Sequence, residues 1–499
     1  MGAWEGLLYG LGVALQPEIM LYCLIGVVLG TLIGVLPGIG AMAAISLLLP
    51  ITYYITPEAA LVMLAGVYYG SQYGGAVSSI LLRLPGTPQS AVTALDGYPM
   101  ARQGRAGQAL FASMVSSFVG SILGIVVLVL LASWLGRVAT QFGAADYAAM
   151  MILGLVAAST IGGGAPAKSF AMVVLGLILG TVGTDVNSGV QRLTFGSTQL
   201  MDGVNLVALA MGLFGVAEVI GNIRGSDHGS PDKVTFAQMK PTRDDSRRMV
   251  MPTLRGSALG SFFGSLPGTG STISSFLSYA MERRVARQPE RFGSGAIEGV
   301  AGPEAANNAA AITAFVPTLT LGIPGDPIMA LMLGALVIHG VQPGPMMLEA
   351  RPEMFWGLVV SFGIGNLLLL ILNLPLIGIW VSLLRLPFRW LYPAIIVFVC
   401  LGVYSVRGSS FDVLAVAMIG AVGYLLALAR FSPALLLLGF VLGPLIETNL
   451  RRAMLISRGD PMVFLERPIA AGFILASAAL ILWSVWGAVR SARRRSATR

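Results

Sequence analysis

Charge is what this 499-residue chain has least of. Asp, Glu, Lys and Arg make up 11% of it and hydrophobic residues 56%, where a soluble domain carries about 25% charged and about 45–50% apolar residues. That balance excludes an ordinary soluble fold. Histidine is nearly missing: His228 and His339 are the two present, which excludes a His-Glu-x-x-His zinc site. Cys23 and Cys400 both lie inside apolar runs, where a thiol packs as a small hydrophobe, so no disulfide, redox centre or metal ligand is expected. There is no Walker A string, which removes self-contained ATP-driven pumping. Composition alone leaves a Ser/His/Asp set open, but no Gly-x-Ser-x-Gly stands at a strand-to-helix turn, and the expectation is a protein that is not an enzyme and needs no cofactor.

Long apolar runs are abundant. Leu110 to Leu135, Phe355 to Leu384 and Ile469 to Val489 each exceed the ~20 residues that cross a hydrocarbon core. They are too long and too continuously apolar for barrel strands, so the backbone must satisfy itself within helices. The expected fold class is an all-α polytopic membrane protein with about 11 transmembrane helices plus re-entrant hairpins. The net charge of +8 reads as loop charge that fixes orientation. Arg490, Arg493, Arg494, Arg495 and Arg499 follow a span without aromatic interleaving, which suggests a cytoplasmic C-terminal anchor and no nucleic-acid binding. No basic residue precedes the first apolar residues, so no cleaved signal peptide is expected.

The two halves match. Gly30-Thr-Leu-Ile-Gly34-Val-Leu-Pro37-Gly38-Ile-Gly40 recurs as Gly260-Ser-Phe-Phe-Gly264-Ser-Leu-Pro267-Gly268-Thr-Gly270, six identities in eleven, and Leu84-Pro85-Gly86-Thr87-Pro88 is answered by Ile323-Pro324-Gly325-Asp326-Pro327. Same order and similar separation imply an internal duplication. Arg83 is the first basic residue of the chain, after Glu5, Glu18 and Glu58, whereas the second motif lies between a basic central interval and Arg283, Arg284, Arg287 and Arg291. By the positive-inside rule the motifs face opposite sides, giving two inverted structural repeats. The limbs beside the second Pro-Gly-x-Gly read as about 11 to 14 residues, too short to cross, so each motif is expected to be the tip of a re-entrant hairpin. The alternative is a tight turn or kink in full spans. The expected division is 1–221 first membrane repeat with tip 37–40, 222–252 cytoplasmic linker loop, 253–467 second membrane repeat with tip 267–270, and 468–499 last transmembrane helix with a basic cytoplasmic tail.

Pro-Gly-x-Gly breaks a helix, because Pro has no amide donor and Gly accepts positive φ. A broken helix at membrane depth is tolerated where it is buried in protein or faces a watery cavity, and half-helix N-termini then present free amides to anions. Gly38, Gly40, Ala41, Gly268 and Gly270 are candidate binding positions on that ground, the flanking glycines being read as helix packing. Thr269, Ser271 and Thr272 add hydroxyls that could instead bond to their own helix. Glu304, Asn307 and Asn308 share a helix face after Pro303, able to line a polar path or hold a cation; if the position is interfacial, Glu304 is only solvated. Ser71 and Gln72 read as their counterparts in the first half. Asp326 and Thr87 occupy matching turn positions, as gates, ligands or plain turn residues. Asp185-Val-Asn187 and Glu447-Thr-Asn449 look alike after Leu-Gly pairs, a weak likeness because the inferred topology does not make them equivalent.

Paired re-entrant loops also suit a channel filter, but inverted repeats favour alternating access. The strings Tyr68-Tyr69-Gly70-Ser71-Gln72-Tyr73-Gly74-Gly75 and Pro303-Glu304-Ala305-Ala306-Asn307-Asn308, each leading to its Pro-Gly-x-Pro turn, resemble the large membrane subunit (TctA-like) of the tripartite tricarboxylate transporters over nearly the whole chain. The resemblance implies a multi-pass permease of the bacterial inner membrane working with a small four-helix membrane subunit (TctB-like) and a periplasmic solute-binding protein (TctC-like). It implies uptake of citrate or another small organic anion, driven by a Na+ or H+ gradient. In the combined reading the two tips enclose the carboxylate, and Glu304, Asp326 and Thr87 are the ion-coupling candidates. A stand-alone ion-coupled organic-anion carrier, or a channel, is the alternative.

Overall fold

The computed structural model describes residues 2–36, 40–139, 141–161, 165–185, 188–222, 234–266, 270–344, 347–384 and 388–497. It is an all-α multi-pass membrane protein. Six helices among the described residues are long and apolar enough to cross a bilayer: Pro17–Val35, Ala94–Ala132, Pro352–Asn373, Ser410–Leu428, Pro433–Ile456 and Pro468–Trp486. Shorter apolar helices, among them Ala41–Thr52 and Pro327–Ile338, fill in between.

Two helices form the centre. Pro57–Leu82 and Glu298–Thr313 are buried along almost their whole lengths, and each is flanked by the long limb of one motif. In the first half, Pro17–Val35 lies against Pro57–Leu82, and a Cβ added at Gly26, Gly30 or Gly34 would drive into the backbone of Met63, Val67 or Ser71. In the second half, Arg243–Gly264 lies against Glu298–Thr313, and a Cβ at Gly256, Gly260 or Gly264 would meet Gly302, Ala306 or Ala310. The glycines let two backbones approach to a distance that any side chain would prevent.

This contact register aligns Val67 with Ala306, and therefore Tyr68 and Tyr69 with Asn307 and Asn308. Ser71 and Gln72 are thus not the counterparts of Asn307 and Asn308. Pairing the two Pro-Gly-x-Pro turns residue for residue, Pro85 with Pro324, gives the same register.

The limbs around the second motif are longer than 11 to 14 residues: Arg243–Gly264 has 22 and Gly270–Val285 has 16. A capping box starts the first of them inside the polar interval, with Thr242 Oγ1 accepting from Asp245 N at 3.1 Å and the Asp245 carboxylate accepting from Thr242 N at 3.3 Å. Pro252, inside this helix, does not end it. The limbs are tied by Arg255, whose Nε and Nη2 donate to the Glu282 carboxylate at 2.8 and 2.5 Å. The first motif has limbs of 19 and 12 residues, Pro17–Val35 and Ala41–Thr52.

A buried aspartate joins the halves. Asp96 accepts from the backbone N–H of Gly293, Gly295 and Ala296, each at 2.8 Å, and from Tyr279 Oη at 2.9 Å. Asp185 and Glu447, alike in sequence context, come together in one ion cluster: Arg451 donates to both, at 2.9 and 2.6 Å, and Arg192 donates to Glu447 at 2.8 Å.

Candidate functional site

A cavity of about 850 Å³ opens where the two halves meet. Four segments supply most of its wall: Gly40 to Ala43, Pro85 to Gln89, Gly270 to Ile273, and Pro324 with Asp326 to Ile328. These are the beginnings of the short limbs after both Pro-Gly-x-Gly motifs and the two Pro-Gly-x-Pro turns. Phe214, Glu218, Ser432 and Leu435 are among the other wall residues.

Each wall segment has a local cause. Gly40 is the N-cap of Ala41–Thr52 and offers no side chain to its first turn, so that turn's N–H groups are left to the cavity side. A Cβ at Gly40 would meet none of the described residues within 4 Å, which leaves this corner open toward the cavity. Gly270 begins its helix at φ +63°, a left-handed conformation costing other residues about 1–2 kcal/mol, beside Asp326. Asp326 caps the helix Pro327–Ile338 by accepting from Met329 N at 2.9 Å and also accepts from Tyr68 Oη at 2.5 Å.

The polar contacts cross between halves. Gln89 Nε2 donates to Ser271 Oγ at 2.9 Å. Thr87 Oγ1 donates to Gln72 Oε1 at 3.4 Å, and Asn307 Nδ2 donates to the same oxygen at 3.3 Å. Glu304, 1% exposed, accepts from the hydroxyls of Thr93 and Ser117; it is buried rather than solvated at an interface.

Of the residues singled out in the sequence, Gly40, Ala41, Gly270, Ser271, Thr272, Asp326 and Thr87 line the cavity. Gln72, Asn307, Asn308 and Glu304 are buried behind it. Ser71 donates back to Tyr68 O at 2.6 Å and serves its own helix. Gly38, Gly268 and Thr269 lie outside the described residues. Sequence reading missed Tyr68, Gln89, Thr93, Ser117 and Glu218. Gln89 had a usable signal, a polar side chain directly after the Pro85-Gly-Thr-Pro88 turn; Thr93 and Ser117 had none, since what matters is their meeting with Glu304 across about 200 residues of chain.

The described residues lining the cavity include no Lys or Arg, and among the described residues no salt bridge reaches Glu304, Asp326 or Glu218. An anion here would find helix N-termini and hydroxyls rather than fixed cations. Asp326 tests that balance. Asp326→Ala removes a cap worth about 1 kcal/mol and strands the Tyr68 hydroxyl, whereas Asp326→Asn keeps an acceptor for Met329 N. The expected order of thermal midpoints for the detergent-purified chain is wild type, Asn, then Ala well below; equal midpoints would contradict the capping role.

A bundle of apolar helices around a chamber built from helix starts is a polytopic membrane transporter in architecture. Comparison with known proteins makes the class specific: the chain belongs to the tripartite tricarboxylate transporter TctA family, whose model matches residues 20–438. That is a family of transporters rather than enzymes. An uncharacterized 52.8 kDa protein in the TAR-I ttuC' 3' region of Agrobacterium vitis is 49% identical over 484 residues, 97% of this chain and 96% of that one. A second protein of that organism, in the TAR-II ttuC' 3' region, is 52% identical over 234 residues, 47% of this chain and 97% of that one. No solved structure matches.

Proposed function

We propose that this chain is the permease subunit of a binding-protein-dependent secondary active transporter that imports a small organic carboxylate on a Na+ or H+ gradient. The observation that carries the reading is the cavity closed by two helix starts, one from each half, with the two Pro-Gly-x-Pro turns between them. Its volume falls in the usual range for small-molecule sites, about 300–1,000 Å³. First-turn amides at Ala41 to Ala43 and near Gly270, with the hydroxyls of Ser271 and Thr272, supply donors of the kind that hold carboxylates at broken helices.

Two inverted repeats, about 11 spans and a cytoplasmic C-terminus belong to this reading, supported by the matched glycine contacts of the two halves and the distribution of basic residues. So do the inner membrane and two partners, a small four-helix membrane subunit and a periplasmic binding protein that delivers the solute. The lack of Lys and Arg among the described wall residues favours co-transport with a cation, because a bound anion there otherwise depends on partial helix charges and hydroxyls.

The test is uptake of labelled di- and tricarboxylates by cells expressing the chain with its two partner subunits. Saturable, gradient-dependent accumulation is expected. Ser271→Ala with Gln89→Ala removes a cross-half donor and acceptor, and uptake should fall about tenfold or more, the scale of one or two lost polar contacts to a charged group. Full uptake by that double variant would reject the site, and unitary conductance in bilayer recordings would replace the carrier by a channel.

A further inference from the structure

Behind the cavity lies a second polar centre with a charge it does not balance. Glu304 is 1% exposed, its carboxylate accepts from Thr93 Oγ1 and, at 3.2 Å, from Ser117 Oγ, and Asn307 follows one turn on in the same helix. Asn308 Nδ2 donates to Ser117 Oγ at 2.8 Å and to Glu304 O at 3.1 Å. Among the described residues no Lys, Arg or His pairs with this carboxylate. Hydroxyl donors alone do not offset the cost of burying an ionised carboxyl group; a countercharge does.

The cluster also holds unmatched carbonyl oxygens. Asn307 Oδ1 and Asn308 Oδ1 are buried without a hydrogen-bond partner, as are the Ser121 hydroxyl and Gln72 Nε2, whereas nearly all buried polar atoms in folded proteins have one. The hydroxyl protons of Thr93 and Ser117 and the Asn308 amide protons are already engaged. A proton added to Glu304 would neutralise the charge and leave both amide oxygens unpaired. A small hard cation neutralises it and takes several oxygens at once.

A polar path joins this centre to the cavity. Thr87 stands on the cavity wall, Gln72 Oε1 accepts from both Thr87 and Asn307, and Asn307 adjoins Glu304. Thr87, Gln72, Asn307 and Glu304 thus form a file running inward between the two central helices.

We propose that Glu304 holds a sodium ion, with the carbonyl oxygens of Asn307 and Asn308 and the hydroxyl oxygens of Thr93 and Ser117 as its neutral ligands, reached from the cavity past Thr87 and Gln72. The inference rests on the carrier reading only where it calls this sodium the coupling ion; the site itself is independent of the solute. Occupancy makes the centre electrically neutral and removes an unbalanced negative charge from behind the cavity wall.

The experiment is thermal unfolding of the purified full-length chain, without any carboxylate, in sodium chloride against choline chloride at equal ionic strength and fixed pH. Sodium is expected to raise the midpoint along a saturating curve. Glu304→Gln should abolish that rise while keeping its midpoint in choline, and Ser117→Ala should move half-saturation several-fold upward. No rise in the wild type, an undiminished rise in Glu304→Gln, or stabilisation by acid alone would overturn the site. If Glu304→Gln does not fold, unchanged half-saturation in Ser117→Ala overturns it instead. A sodium effect that requires Glu304, in a protein that moves no carboxylate, would retain the cation site and discard the solute reading.

Discussion

Replacing Gly40 with phenylalanine is expected to reduce solute uptake to background while leaving the protein inserted and folded. The position caps a helix at φ −72°, so a side chain is tolerated by the backbone, and a Cβ there has nothing within 4 Å. The ring therefore enters the cavity instead of a packed core. It would occupy the space in front of the Ala41 to Ala43 amides, where the proposed carboxylate is held. Uptake and membrane abundance measured on the same cells separate the two effects, and normal uptake with normal abundance would place the solute elsewhere.

Gly260→Leu should do the reverse and remove the folded protein itself. Gly260 lies against the Ala306 backbone with no room for a Cβ, so the Arg243–Gly264 limb would have to leave the central helix. Overpacking of this kind costs about 3 kcal/mol at the upper end of the usual range, and here the obstacle is main chain, which does not change rotamer. Membrane yield and the thermal midpoint of the purified chain are the readouts. Gly363→Ala, at a position with nothing within 4 Å, is the matched control and should lie near wild type. Equal midpoints for the two variants would mean that the glycine seam is not closely packed.

The parts of this molecule that were legible in the sequence are those that local chemistry decides. Scarce charge and long apolar runs fix a membrane bundle, and helix breakers mark where helices restart, which is why Gly40, Ala41, Gly270, Ser271 and Thr272 could be named in advance and lie on one cavity. What the sequence hid are meetings between distant segments. Tyr68 with Asp326, Gln89 with Ser271, and Thr93 and Ser117 with Glu304 have no spacing that announces them, because a buried hydroxyl in an apolar helix looks the same whether it bonds its own carbonyl or a carboxylate from the other half. Limb length was misjudged for a related reason: the Thr242 and Asp245 box begins a helix among charged residues, where apolar patterning is silent.

The glycine seams also decide which parts can move. Side chains that interdigitate can be repacked in a new arrangement, but a join made of bare main chain against main chain has no alternative fit. Pro17–Val35 with Pro57–Leu82, and Arg243–Gly264 with Glu298–Thr313, are accordingly expected to move as two planks, each whole, in any rearrangement. In the proposed carrier, exposing the chamber first to one face of the bilayer and then to the other would fall to the turns that follow the planks, at Pro85 to Pro88 and Pro324 to Pro327.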